Sequence, residues 1–420
     1  MNSMLERLRS ITNYQVETLS NGAKLITHYR SGLSVNISIK FDYGTAYEVP
    51  EKRQAAHFAE HMMFRKGPRE LYRRRQEELE HLSANGINAT TSFEYIGLGN
   101  SNTFVTLPRN APKLLRLVGD MIYDDRIEDE FLEAERQIVL REVMPKQVSE
   151  HYAFCREIDA ALWGAHHPYF LAGDPCVDNV KRLSQVDVRE VFEYLGGKNV
   201  VVSIVGPYDQ ETLQAAREVF GTKYCTKQKR HIENPSVPEE ERILKAELND
   251  VSTPYAKVIF RLPEDRHEDT TKAHVLAQYL DDSSKLQRRL RDEGGLCYGV
   301  GTTCFELRKG SSFGVQATNF NEGDGEKAVA AIKEELEELK DGKIDQLLLE
   351  RRKEEVEHSA ITYESAKQSA DIFSTVELFG VLNPYDFVST TQNVTAKDLR
   401  RLARTYFNNP VIAIALHKNT

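Results

Sequence analysis

The sequence predicts an α+β fold laid down twice, and three observations carry that expectation. First, short apolar strands and amphipathic helices mix without the regular βαβ alternation of a parallel sheet, so helices should pack against a mostly antiparallel sheet. Second, 183–205 runs from Leu-Ser-Gln-Val-Asp-Val through a helix to an apolar strand, and 394–416 repeats the scheme. In both, a Ser or Thr (Ser184, Thr395) stands at the helix N-cap and an Asn precedes the strand. Self-similarity at this wide spacing argues for a duplicated domain rather than a solenoid. Third, 225–241 is polar, holds Pro235 and Pro238, and carries almost no large apolar side chain, which marks a linker. A chain of 420 residues fits two domains of about 200 each. The expected division is a first domain over 1–224, a linker over 225–243 and a second domain over 244–420.

Each element has a local reason. Residues 14–29 should form a hairpin turning at Asn21-Gly22. Val35, Ile37, Ile39 and Phe41 alternate, which predicts a strand over 35–43. Residues 54–63 contain no Pro or Gly, are apolar nearly all round, and meet a stop at Gly67-Pro68, as in a buried helix. A charged helix follows over 69–84, then a return to strand over 88–107, then helices over 111–123 and 129–143. The charged stretch 322–357 reads as a solvated pair of helices whose Leu and Ile positions pack on the second domain.

Composition excludes several classes. The 40% apolar and 28% charged content suits a soluble globular protein, and a net charge of -9 argues against a nucleic-acid binder. No run of apolar residues is long enough for a membrane span. Residues 1–13 lack the apolar centre of a secretory signal. Five scattered cysteines without a C-x-x-C pair suggest reduced thiols and a cytoplasmic setting.

The chemistry concentrates in His57-Phe58-Ala59-Glu60-His61, an H-x-x-E-H run. On a helix, residues four apart share a face, so both imidazoles can aim at one point. Two imidazoles, a third ligand and one open position are how catalytic zinc is held. Glu60 can then take a proton from the metal's water, and the motif order is that of the inverzincins. Histidines and a carboxylate on a buried helix are expensive unless something such as a metal satisfies them. A third ligand is sought on the helix over 129–143, which holds Glu130, Glu133, Glu135 and Glu142. Glu135 and Glu142 are two turns apart on nearly one face, and spacing alone does not choose between them.

Further motifs run along the chain. These are Leu19-Ser20-Asn21-Gly22, the stretch from Phe41 to Glu48, Asn88-Ala89-Thr90-Thr91-Ser92-Phe93-Glu94, Glu135-Arg136-Gln137-Ile138-Val139-Leu140-Arg141-Glu142, His167-Pro168-Tyr169 and the stretch from Arg289 to Tyr298. In this order they resemble the pitrilysin (insulinase) family of zinc metallopeptidases, in particular short bacterial members similar to the mitochondrial processing peptidase β subunit. The resemblance implies two homologous α/β-sandwich domains related by an internal pseudo-repeat, of which the first alone binds one Zn2+. It implies His57, His61 and Glu142 as ligands, Glu60 as general base and Glu135 as a supporting residue. Asn88, Ala89 and Thr90 correspond to the edge strand on which a peptide substrate pairs. Arg291 and Tyr298 correspond to a pair that contacts the substrate near the metal, supplied in short members by a second subunit. The expected protein is therefore a zinc endopeptidase acting on short or unfolded peptides, as a homodimer or as a heterodimer with an inactive homologue. Other members of such families serve as non-catalytic structural partners, usually after losing part of the zinc motif. Gln54-Ala55-Ala56 stands where many relatives carry Gly-x-Ala, a change expected to affect packing alone.

Overall fold

The turn at Asn21-Gly22 opens the first sheet: β1 (Gln15–Thr18) and β2 (Lys24–Tyr29) pair antiparallel with Thr18 opposite Lys24. Gly22 takes the left-handed φ of 90° that the tight turn needs. This geometry comes from a computed structural model that describes residues 2–82, 88–99, 101–281, 285–321 and 323–418. β3 (Val35–Phe41) follows, buried along its whole length.

The strand expected over 88–107 is three short ones, β4 (Ala89–Thr91), β5 (Ile96–Leu98) and β6 (Phe104–Thr106). Left-handed backbone at Gly99, Ser101 and Asn102 turns the chain back on itself, so β5 and β6 both pair with β3. With β7 (Val200–Gly206) the order across the sheet is β1-β2-β7-β3-β5-β4, which leaves β4 at an edge.

The second sheet repeats the plan. β8 (Arg242–Leu248), β9 (Tyr255–Leu262), β10 (Gly299–Phe305), β11 (Ser311–Thr318) and β12 (Val411–His417) lie in the order β10-β11-β9-β12-β8. β7 runs parallel to β2 and antiparallel to β3, and β12 runs parallel to β8 and antiparallel to β9. Each central strand is preceded by a helix with a capping box, Ser184 with Asp187 and Thr395 with Asp398. The pseudo-repeat legible at 183–205 and 394–416 is thus the same strand order built twice, and the α+β expectation holds. Helices Gly325–Asp341 and Gln346–Ser359 occupy the charged stretch, burying Ile332, Leu336, Leu339 and Leu349.

The compact units are not the contiguous halves 1–224 and 244–420. One comprises 1–147, 171–232 and 362–385; the other comprises 148–170, 233–361 and 386–420. The exchange has a physical cause. β3 points the buried Ser38 and Lys40 at one face, and their partners come from helix Ala366–Phe379. Ser38 meets Ser374 at 2.8 Å, and the Lys40 ammonium meets Asp371 at 2.8 Å. Phe373 and Phe379 of the same helix cover Ile26, Val201 and Val205. In the second unit, helix Glu150–Trp163 lies on its sheet, with Trp163 under the Arg261 guanidinium at 4.0 Å. A buried lysine needs a carboxylate whatever its distance in sequence, and linker composition carries no trace of that need.

The segment leaving helix Ala55–Met62 is anchored by Arg75. Its guanidinium donates to the Lys66 carbonyl at 3.1 Å, to the Asp120 carbonyl at 3.0 Å and to the Asp124 carboxylate at 3.0 Å. Burial pushes Asp124 up, but hydrogen bonds from Arg126 and Arg75 outweigh it and bring the carboxyl down from 3.8 to about 2. Because the folded value is depressed, this stabilisation is complete above pH 3.8 and is lost as pH falls through about 2. Allowing for screening at the half-exposed Arg126, Asp124→Asn is expected to cost about 1–2 kcal/mol at neutral pH. Urea unfolding at a series of pH values checks this: the gap between variant and wild type should close as pH approaches 2.

Candidate metal centre

Helix Ala55–Met62 begins at a strained, well-satisfied corner. Gln54 has φ 76°, in the left-handed region that side-chain-bearing residues rarely adopt. The Glu48 carboxylate accepts the N–H of Gln54 at 3.0 Å and of Ala56 at 2.6 Å, so it caps the helix start from outside. Glu48 is itself buried, which pushes its carboxyl up to about 8. Ala55, Ala56, Phe58, Ala59 and Met62 face the interior. Gly44 supports the approach to this corner, since a Cβ there would sit 2.4 Å from the Ser92 carbonyl oxygen.

The partly exposed side of the helix carries His57, Glu60 and His61. His57 Nε2 stands 3.1 Å and His61 Nε2 3.6 Å from one Glu142 carboxylate oxygen. The donor atoms of His57, His61 and Glu142 lie within 4.8 Å of one another. Among the described residues this is the group suited to a metal ion. The structure separates the two candidate glutamates that spacing left open. Glu142, half exposed, completes the triad; Glu135, buried, accepts from His61 Nδ1 at 3.0 Å and is paired on its other oxygen with Arg65.

Donor chemistry tests whether a metal fits. His57 Nδ1 lies 2.9 Å from Gln54 Oε1, and His61 Nδ1 lies 3.0 Å from Glu135 Oε2. Both partners are acceptors, so each Nδ1 bears the hydrogen and each Nε2 presents a lone pair. Burial and the neighbouring His61 hold the His57 imidazole below its usual value. Burial alone would do the same to His61, but Glu135, Glu60 and Glu142 reverse it and hold that ring higher. With the rings neutral, two imidazole lone pairs face one carboxylate oxygen across 3.1 and 3.6 Å, a contact between acceptors that a bound cation, or a second proton on a ring, would bridge. Two nitrogens and an oxygen suit zinc.

Glu60 lies beside this triad, and its Oε2 accepts the Thr91 N–H at 3.1 Å. Burial, the largest influence, raises its carboxyl above the ordinary value. Thr91 belongs to β4, and its hydroxyl also donates to the Ala56 carbonyl at 3.3 Å, so the edge strand is pinned to the helix. Along β4 the Asn88 carbonyl accepts from Gly99 and the Ser92 N–H donates to Tyr95, both on the β5 side. Alternation then turns the main chain of Ala89 and Thr91 toward the free edge and that of Asn88 and Thr90 away from it. Thr91 was not among the residues the sequence singled out.

Residues 24–167 match the family described as Insulinase (Peptidase family M16), and residues 187–356 match the Peptidase M16 inactive domain. The chain belongs to the M16 family. Cytochrome b-c1 complex subunit 1 of Rattus norvegicus is 24% identical over 222 residues, which is 52% of this chain and 45% of that protein. The mitochondrial-processing peptidase subunit beta of Dictyostelium discoideum is 26% identical over 210 residues, 49% of this chain and 43% of that one. This M16 chain spans about half the length of the curated relatives it matches. In fold it is similar to a protease from Helicobacter pylori, with a TM-score of 0.84 over 96% of this chain and 99% of the other at 21% identity. A peptidase M16 inactive domain from Pseudomonas fluorescens gives 0.80 over 97% and 99% at 16% identity.

In this M16 chain Arg291 and Tyr298 belong to the second compact unit. Arg291 lies in the helical turn Arg288–Asp292 and its guanidinium sits 5.0 Å from the Tyr298 ring, which is 67% exposed. In the helix of the second unit that holds His274, that imidazole pairs with Glu306 at 2.7 Å. Sequence reasoning gave Glu48, Arg65 and Thr91 no role of their own and gave Gln54 a packing effect alone. The signal for Gln54 was on view as the departure from Gly-x-Ala, but its effect is not confined to packing, because the side chain touches a candidate ligand.

Glu48→Ala should leave two N–H groups without an acceptor at a buried helix start and cost about 2 kcal/mol. A fall in the denaturant midpoint at unchanged slope checks this, and a change under about 0.5 kcal/mol contradicts the capping role.

Proposed function

We propose that this M16 chain is a zinc-dependent endopeptidase that hydrolyses short or unfolded peptides. The observation that carries the reading is the convergence of three ligand atoms, from His57, His61 and Glu142, beside the partly buried Glu60 carboxylate, whose proton affinity is raised. Zinc bound there supplies a Lewis acid that lowers the pKa of a coordinated water toward about 7. Glu60 takes a proton from the attacking water and returns it to the leaving amine, and its raised pKa suits both halves of that task. The Thr91 N–H holds the Glu60 carboxylate in place. A peptide strand adding to the edge of β4 meets the outward main chain of Ala89 and the Thr91 carbonyl, with Asn88 and Thr90 turned the other way and the Thr91 N–H held by Glu60. Such pairing reads backbone, so substrates must be extended, and folded proteins are poor candidates.

Arg291 and Tyr298 are proposed to hold the substrate carbonyl and its developing oxyanion, in an active site closed by a second subunit. A homodimer supplies both the zinc triad and this pair from one sequence. A heterodimer with an inactive homologue, maturing one peptide precursor, is the alternative assembly, and the likeness to a processing-peptidase subunit supports it. The likeness to a cytochrome b-c1 subunit supports a second reading, a non-catalytic partner protein. Retention of the whole H-x-x-E-H run argues against that reading.

Cleavage of a quenched fluorescent peptide by purified protein, with zinc content measured alongside, tests the assignment. Glu60→Gln should keep its zinc and lose about 10²–10⁴-fold in kcat/KM. Chelation should abolish cleavage in the wild type, and added zinc should restore it. Tyr298→Phe should lose about 10²-fold in kcat with zinc unchanged. Zinc without turnover in the wild type, alone or mixed with a homologous chain, would sink the peptidase reading in favour of the partner one.

A further inference from the structure

Gln54 holds an unfavourable backbone for a reason found in its side chain. It is buried, with φ 76°, and its amide makes two directed contacts. Nε2 donates to the Asp174 carbonyl at 2.8 Å, and Oε1 lies 2.9 Å from His57 Nδ1. A backbone carbonyl accepts and never donates, so the Asp174 contact fixes which end of the amide is which. Oε1 can then only accept, and the hydrogen it accepts must sit on His57 Nδ1. The Asp174 loop is itself anchored, since its carboxylate takes the Arg53 guanidinium at 2.8 Å and the Cys176 N–H at 3.1 Å.

The alternative tautomer shows what this prevents. With its hydrogen on Nε2, His57 would donate to the Glu142 carboxylate 3.1 Å away. That bond would tie two of the three converging donors to each other and hide both. We propose that Gln54 is a positioning residue that locks His57 as the Nδ1–H tautomer and so keeps Nε2 and Glu142 open to a divalent metal. The inference rests on the zinc reading above and deepens it. Glu135 does for His61 what Gln54 does for His57, with a carboxylate in place of an amide.

Two variants separate this role from a structural one. Gln54→Met removes the acceptor but keeps a side chain at left-handed backbone, whereas Gln54→Gly removes the acceptor and relieves that backbone. Ring-nitrogen NMR of zinc-free, 15N-histidine-labelled full-length protein reads the tautomer directly. Competition with a chelating indicator reads zinc affinity, and thermal melting reads stability. Wild type should show His57 protonated on Nδ1, and both variants should move the hydrogen to Nε2. Both should bind zinc about 10–100-fold more weakly, although Gln54→Gly should melt no lower than wild type. A structural role would instead make affinity follow the melting temperature. An Nε2–H tautomer in wild type, or variants holding zinc as tightly as wild type, would overturn the inference. The predicted tautomer in a wild type that takes up no zinc would support the lock and overturn the metal reading alone.

Discussion

Two hydrogen bonds to imidazole Nδ1 atoms govern what the rest of this centre can be. Gln54 takes one and the Arg65-paired Glu135 takes the other, and both partners are acceptors. Each histidine is thereby left with its Nε2 lone pair directed at Glu142. With the rings neutral, acceptors at these separations need a proton or a cation between them. The arrangement is stable when a cation lies among them, and the nitrogen and oxygen donors favour zinc over harder ions.

Much of the surrounding fold holds that geometry. Glu48 satisfies the start of helix Ala55–Met62, and Arg75 ties down the chain beyond its end. The apolar face of the helix is buried, so its orientation is fixed by packing while its polar side stays accessible. β4 is joined to the same helix through Thr91, which brings the edge strand of the sheet and the Glu60 carboxylate together. Substrate alignment and proton transfer would then be set by the same contact.

The candidate metal centre was legible in part because it is compressed: His57, Glu60 and His61 lie on one short helix, and helical spacing alone brings them together. The duplication was legible too, because a capping box ahead of an apolar strand leaves a local signature in each half. Spacing could not choose between Glu135 and Glu142, which share a helix face and differ in what stands opposite them. Within the strand expected over 88–107, β5 and β6 are separated because Gly99, Ser101 and Asn102 adopt left-handed backbone, which Gly and Asn accept readily. The exchanged helix Ala366–Phe379 was invisible for another reason. Its partners Ser38 and Lys40 are more than three hundred residues away, and no periodicity encodes a pairing at that range. Gln54 is the sharpest case: nothing in a glutamine announces φ 76° or the ring it will meet.

Anomalous diffraction at the zinc edge, from crystals grown with the metal, tests the central claim most directly. The account predicts one peak per chain, about 2.0–2.2 Å from the Nε2 atoms of His57 and His61 and from a Glu142 oxygen. It also predicts that Gln54 and Glu135 stay on the two Nδ1 atoms. A peak bound through either Nδ1, a peak on Glu135 in place of Glu142, or no peak at this helix would contradict it.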